Sequence, residues 1–146
     1  MAGGEKASGG AEMTLQQYRA LADFRYELRR FLRYSEQVTR RHGLTPLQYQ
    51  LLLQIKGFPG RQKVTVGELA ERLQAKHHGV VALATRCENL GLIERRACEE
   101  DRRLVYLRLT SKGSRALERL ARLHRDELRS LGGAFSVGAL GDGAFR

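Results

Sequence analysis

The chain has 146 residues, 42% of them hydrophobic, enough for one domain with a real core and too few for two large ones. Lysine and arginine number 26 against 16 acidic residues, a net charge of +10, which favours partners with negative surfaces such as nucleic acid, anionic lipid or acidic protein. No apolar run approaches the roughly 20 residues that a membrane-spanning helix needs, and the opening MAGGEKASGG lacks the apolar stretch of a secretory signal. A cytoplasmic protein is therefore expected, with no membrane partner. Cys87 and Cys98 form no CxxC pair and are expected as free thiols.

Residues 1–13, rich in Gly, Ala and Ser, read as a disordered tail. Thr14 and Gln17 have capping-box spacing and open a helical segment over 14–44. Leu15, Tyr18, Leu21, Ala22, Leu28, Phe31, Leu32 and Val38 recur at helical spacing before Gly43. Phe24 and Tyr26 lie off that stripe, so the helix is apolar on more than one side, which suits a second subunit as well as its own core.

Thr45-Pro46-Leu47-Gln48 is a second start signal, and the helix it opens runs through Leu51, Leu52 and Ile55 to Gly57. After a loop over Phe58–Lys63, Thr65-Val66-Gly67-Glu68 opens a third helix through Leu69, Ala70 and Leu73. A fourth starts near Lys76 and ends at Leu90-Gly91, with glycine in the left-handed stop position. Ile93–Ala97 and Leu104–Leu109 read as a two-stranded ribbon with the charged tip Cys98–Arg103. From Ser111 a last helix carries Leu117, Leu120, Ala121, His124, Leu128 and Leu131 on one face. Gly132-Gly133 ends it, and 132–146 read as an irregular tail.

The fold class is thus mainly α with a small β-wing. A helix-turn-helix followed by a basic wing over 45–110 is a device for reading DNA. In the helix after Lys76, Val80, Leu83, Ala84 and Cys87 fall inward, while Lys76, His77, His78, Ala82 and Arg86 fall mainly outside. Imidazole can donate to guanine N7 or O6 in the major groove. The small residues Gly79 and Ala82 allow close approach, and Arg86 is placed to grip a phosphate. At the tip, Arg102 or Arg103 can enter a narrow minor groove, with Asp101 orienting a neighbouring arginine.

Each feature has a plainer reading. Lys-His-His can be a solvated helix start, and a charged hairpin tip can be only a soluble turn. Adjacent histidines point in different directions on a helix and have no partner at metal-ligand spacing, so no metal or cofactor is expected. The thiols are redox candidates: Cys98 has Arg95, Arg96 and Arg102 nearby but also Glu99 and Glu100, and a buried Cys87 would act as a small hydrophobe. No Ser/His/Asp arrangement or phosphate-binding glycine loop points to an enzyme. A winged helix that binds protein without specific DNA binding is the alternative.

The segments VTVGELAERL, NLGLIERR and the wing pattern Asp101-x-Arg103 followed by Leu109-Thr110-x-Lys112-Gly113 resemble the MarR family of winged-helix transcriptional regulators over roughly 14–131. The resemblance implies a homodimer on a palindromic, inverted-repeat DNA operator in a bacterial or archaeal cell, nucleoid-associated. It implies repression relieved by a small-molecule effector or an oxidant. Residues 14–44 and 111–131 would be dimerisation helices, Lys76–Arg86 the recognition segment, and Arg103 the minor-groove arginine supported by Asp101. A ligand cleft would involve Tyr26, Arg29 or His42. Family members often begin the recognition helix with Ser or Thr where this chain has Lys-His-His-Gly, and they usually end in a further long helix.

Overall fold

The computed structural model describes residues 10–131. The predicted tails therefore lie largely outside the described residues, as does the Gly132-Gly133 stop; residues 10–13 precede the first helix and are exposed. The described residues divide into two units, 10–30 with Leu131, and Phe31–Ser130.

In the first unit, Thr14 and Gln17 close the expected capping box: the Thr14 hydroxyl accepts from the Gln17 N–H at 3.1 Å, and the Gln17 side chain accepts from the Thr14 N–H at 3.0 Å. They open α1 (Leu15–Arg41), whose later turns belong to the second unit. Leu15, Tyr18, Leu21 and Tyr26 stand exposed along this first part of the helix.

The second unit contains the rest of α1, then α2 (Pro46–Lys56), β1 (Val64–Thr65), α3 (Val66–Leu73), α4 (His77–Asn89), β2 (Ile93–Ala97), β3 (Val105–Leu109) and α5 (Ser111–Leu131, to Ser130 in this unit). Thr45 with Gln48 and Thr65 with Glu68 both form complete capping boxes, so local hydrogen bonds mark the starts of α2 and α3. Between α3 and α4 the chain turns through Gln74 at φ 50°, a left-handed conformation taken here by a residue other than glycine.

The wing is larger than the expected ribbon. Val64 and Thr65 pair with Leu107 and Tyr106, giving an antiparallel three-stranded sheet in the order β1-β3-β2. A two-residue strand has no period to betray it, and Thr65 is at once its last residue and the cap of α3. Leu104 is not part of β3: its N–H bonds to the Asp101 carbonyl and its carbonyl accepts from the Cys98 N–H, which closes the tip. Val105 lies out on the wing and is exposed, whereas Leu107, two residues on, is fully buried.

The core joins Leu51, Leu52 and Ile55 of α2, Leu69 of α3, Val80, Ala84 and Cys87 of α4, and Ile93 and Leu107 of the sheet. Beside it, His124 of α5 is buried in a polar and aromatic nest. Its Nε2 lies 2.7 Å from the Ser35 hydroxyl, its Nδ1 lies 2.7 Å from the Leu120 carbonyl, and its ring stacks on Tyr49 with centroids 4.4 Å apart. Both ring nitrogens are thus occupied, as burial of an imidazole requires.

Candidate nucleic-acid interface

The core fixes which side of α4 faces outward. Val80, Leu83, Ala84 and Cys87 are buried, so Lys76, His77, His78, Gly79, Ala82 and Arg86 are all exposed, the division that the sequence predicted. Lys76 is the N-cap and its side chain makes no capping hydrogen bond. The first turn of α4 therefore offers backbone N–H groups beside Lys76, His77 and His78, an arrangement that favours a phosphate. Among the described residues, no group of three or more His, Cys, Asp or Glu side chains could hold a metal ion.

At the wing tip the structure brings Asp101 and Arg103 together. The Arg103 side chain is 90% exposed, yet Asp101 accepts hydrogen bonds from its backbone N–H and from its Nε and Nη2. These bonds hold the Asp101 carboxyl below the usual carboxylate range. Arg102 is exposed on the same turn.

Several braces tie the two reading elements to the domain, and sequence reasoning missed most of them. Arg95 of β2 donates to the Thr85 hydroxyl at 2.7 Å and lies 3.8 Å from the Glu88 carboxylate, which couples the wing to α4. Lys112 donates to the Leu90 carbonyl at 2.8 Å and so satisfies the C-terminal end of α4. The Thr110 hydroxyl accepts from the Gly113 N–H and donates to the Gly91 carbonyl. Gly113 lies so close to the chain at Leu92 that a Cβ there would meet the Leu92 carbonyl oxygen at 1.9 Å. The Thr-x-Lys-Gly pattern thus has an architectural meaning: it locks the end of α4 to the start of α5.

The thiols differ. Cys87 is fully buried, and burial pushes its pKa up to about 11. A neutral, enclosed thiol packs as a small hydrophobe, which removes the physical basis for reading it as a redox group. Cys98 is partly exposed and lines a surface hollow with Arg96, Tyr106 and Glu100. Of the expected ligand residues, Tyr26 and Arg29 lie in the first unit and are exposed, with Arg30 over the Tyr26 ring. His42 lies in the second, where it lines a hollow of about 330 Å³ with Leu90, Lys112 and Arg119.

The sequence model that matches residues 42–104 is that of the MarR family. Over those residues the chain is similar to the MarR family. Its matched segment starts at the end of α1 and ends within the wing tip. Among curated relatives, an uncharacterized HTH-type transcriptional regulator of Bacillus cereus is 35% identical over 85 residues, 58% of this chain and 54% of that protein. The HTH-type transcriptional repressor MdtR of Bacillus subtilis (strain 168) is 36% identical over 73 residues, 50% of this chain and 45% of that protein. The chain thus spans about half the length of the curated relatives it matches. A mutant of S. aureus MepR bound to an oligodeoxyribonucleotide shares the fold, with a TM-score of 0.63 at 23% identity over 82% of this chain and 83% of that one. By name, these curated relatives are HTH-type regulators of transcription.

Proposed function

We propose that this chain is a MarR-type, sequence-specific regulator of transcription that binds double-stranded DNA as a homodimer. The observation that carries the reading is the pairing of two outward elements on one braced domain: α4 with Lys76, His77, His78, Ala82 and Arg86 exposed, and a wing tip with Arg103 extended and held by Asp101. An α-helix fits the major groove, and an extended arginine fits the focused negative potential of a narrow minor groove.

In this mechanism each protomer lays the start of α4 across base edges, with His77 and His78 donating and Gly79 and Ala82 allowing approach. Arg86, Lys76 and the open N–H groups of α4 hold phosphates. Lysine and arginine contacts release counterions, so affinity falls steeply with salt. The exposed Leu15, Tyr18, Leu21 and Tyr26 of α1 support pairing with a second copy, because apolar side chains gathered along one helix suit an interface. Two copies related by a twofold would read an inverted repeat with half-sites about one helical turn apart. Repression, as in the name of the relative MdtR, follows where such a site overlaps a promoter. Relief by a small effector belongs to the same proposal, with His42 lining one candidate hollow. Titration of a labelled duplex carrying the upstream region of the chain's own gene, at several salt concentrations, tests it. Saturable binding that random duplex does not compete away supports the reading; equal competition by random duplex contradicts it.

A further inference from the structure

Away from the wing tip, a hollow of about 290 Å³ is lined by Lys56, Arg61, Gln62, Lys63, Arg108 and Ser114. These residues come from the end of α2, the following loop, β3 and the start of α5. Lys56, Arg61, Lys63 and Arg108 are cations. Two carboxylates answer them directly: Glu68 pairs with Arg61, and Glu94 with Arg108 at 3.0 Å. Lys56 and Lys63 meet neutral groups instead: Lys56 donates to Gln62 at 3.0 Å, and Lys63 sits over the Tyr106 ring at 4.6 Å. The loop is held in shape by Arg61, which donates to the Lys63 carbonyl at 3.1 Å and lies over the Phe58 ring at 5.0 Å.

We propose that this hollow is a binding site for a small oxyanion bearing two or more negative charges, a polycarboxylate or a phosphate group. Its ammonium groups are charge donors whose present partners are uncharged, and the Ser114 hydroxyl adds a neutral donor. Its volume is near the lower end for small-molecule pockets, roughly 300–1,000 Å³. Arg108 lies within β3, Arg103 lies in the turn before that strand, and none of Asp101, Arg102 and Arg103 lines the hollow, so it is distinct from the tip that the DNA reading uses. Arg61 links the two functions. The guanidinium that would meet the anion also holds Glu68, the acidic member of the α3 capping box, so occupation of the hollow bears on the first helix of the helix-turn-helix. The site goes beyond the DNA-binding reading and stands without it.

The test is calorimetric titration of the full chain, without DNA, using citrate and separately inorganic phosphate at a fixed ionic strength set with sodium chloride. One-to-one binding of either is expected, weakened roughly tenfold in Lys56→Gln and again in Lys63→Gln, as loss of one charge-assisted bond implies. Arg40→Gln removes an equal charge elsewhere and is expected to change the affinity less than twofold. Amide shifts in the unmutated protein on adding the anion are expected at Arg61, Lys63 and Ser114. Citrate binding alone would mark a carboxylate ligand, and phosphate binding alone a phosphorylated one. No saturable heat with either anion, equal weakening by Arg40→Gln, or shifts confined to the start of α4 and the wing tip would each overturn the proposal.

Discussion

Asp101 grips Arg103 at three points, accepting from its backbone N–H at 3.0 Å, from Nε at 3.1 Å and from Nη2 at 3.3 Å. The carboxylate therefore fixes both the turn and the direction of a side chain that projects into solvent. Such a bond to an exposed group adds little to folding stability. Its value lies in presenting an arginine whose rotamer is already restricted, which lowers the entropy lost when it enters a groove.

Arg103→Ala is accordingly expected to weaken binding to the chain's operator by roughly ten- to a hundredfold, with the salt slope reduced by about one, and to leave the melting temperature unchanged. Asp101→Asn should give a smaller loss in the same direction. Fluorescence anisotropy with a labelled operator, beside a melting curve, checks both. Undiminished affinity of a folded Arg103→Ala variant would remove this residue from the interface.

His78→Ala should act on sequence preference. A lost base-edge contact costs about 1–3 kcal/mol at the base pair it reads, whereas a lost phosphate contact weakens all sequences alike. Comparing Kd on operator and random duplexes separates the two. Equal losses on both would make His78 a positioning residue.

The Arg61–Glu68 pair predicts an acid response. Burial alone raises the Glu68 pKa, but the Thr65 N–H, the Arg61 guanidinium and the Thr65 hydroxyl outweigh it and hold the group below its ordinary value. A carboxyl depressed on folding contributes stability above its unfolded pKa of about 4.3, and that contribution is lost as pH falls through the folded value. Glu68→Gln keeps a residue that can complete the capping box, as Gln48 does in α2, but loses the ion pair. Urea unfolding between pH 6 and pH 3 should therefore show a shallower acid decline in the variant. Parallel declines would show that the pair does not govern acid stability.

Gly113→Ala tests the lock between α4 and α5. In an open helix alanine would gain about 1 kcal/mol over glycine. Here its Cβ would meet the Leu92 carbonyl oxygen at 1.9 Å, and backbone cannot swing aside as a side chain can. The clash should win, with a net destabilisation of about 1–3 kcal/mol by denaturant unfolding. Neutral or raised stability would mean that the two segments separate at little cost.

The two thiols should be distinguishable by labelling. With Cys87 buried and its pKa at about 11, a disulfide reagent at pH 8 should modify Cys98 quickly and Cys87 only after denaturation. Two fast-reacting thiols in the native protein would show that α4 opens readily.

Features set by neighbours in sequence were legible before the structure was known. The three capping boxes, the Gly91 stop and the inward set Val80, Leu83, Ala84 and Cys87 depend on spacings of two to four residues, and each lies where its pattern placed it. The Asp101–Arg103 pair is similarly local. What escaped detection depends on distant partners or atypical residues. β1 is two residues long and is defined by its pairing with Tyr106 and Leu107. Gln74 adopts a left-handed turn that glycine or asparagine would have announced. Arg95 reaches Thr85, and Lys112 reaches Leu90, across ten and twenty-two residues. The basic hollow joins Lys56 to Arg108 from opposite ends of the winged domain.

In the proposed complex the two α4 helices of a dimer read related half-sites. Selection from a randomised pool of double-stranded DNA at moderate salt, followed by sequencing, tests this most directly. An inverted repeat with half-site centres about 10 base pairs apart is the predicted result. A folded dimer that enriches no motif, or enriches only single half-sites at random spacing, would contradict it.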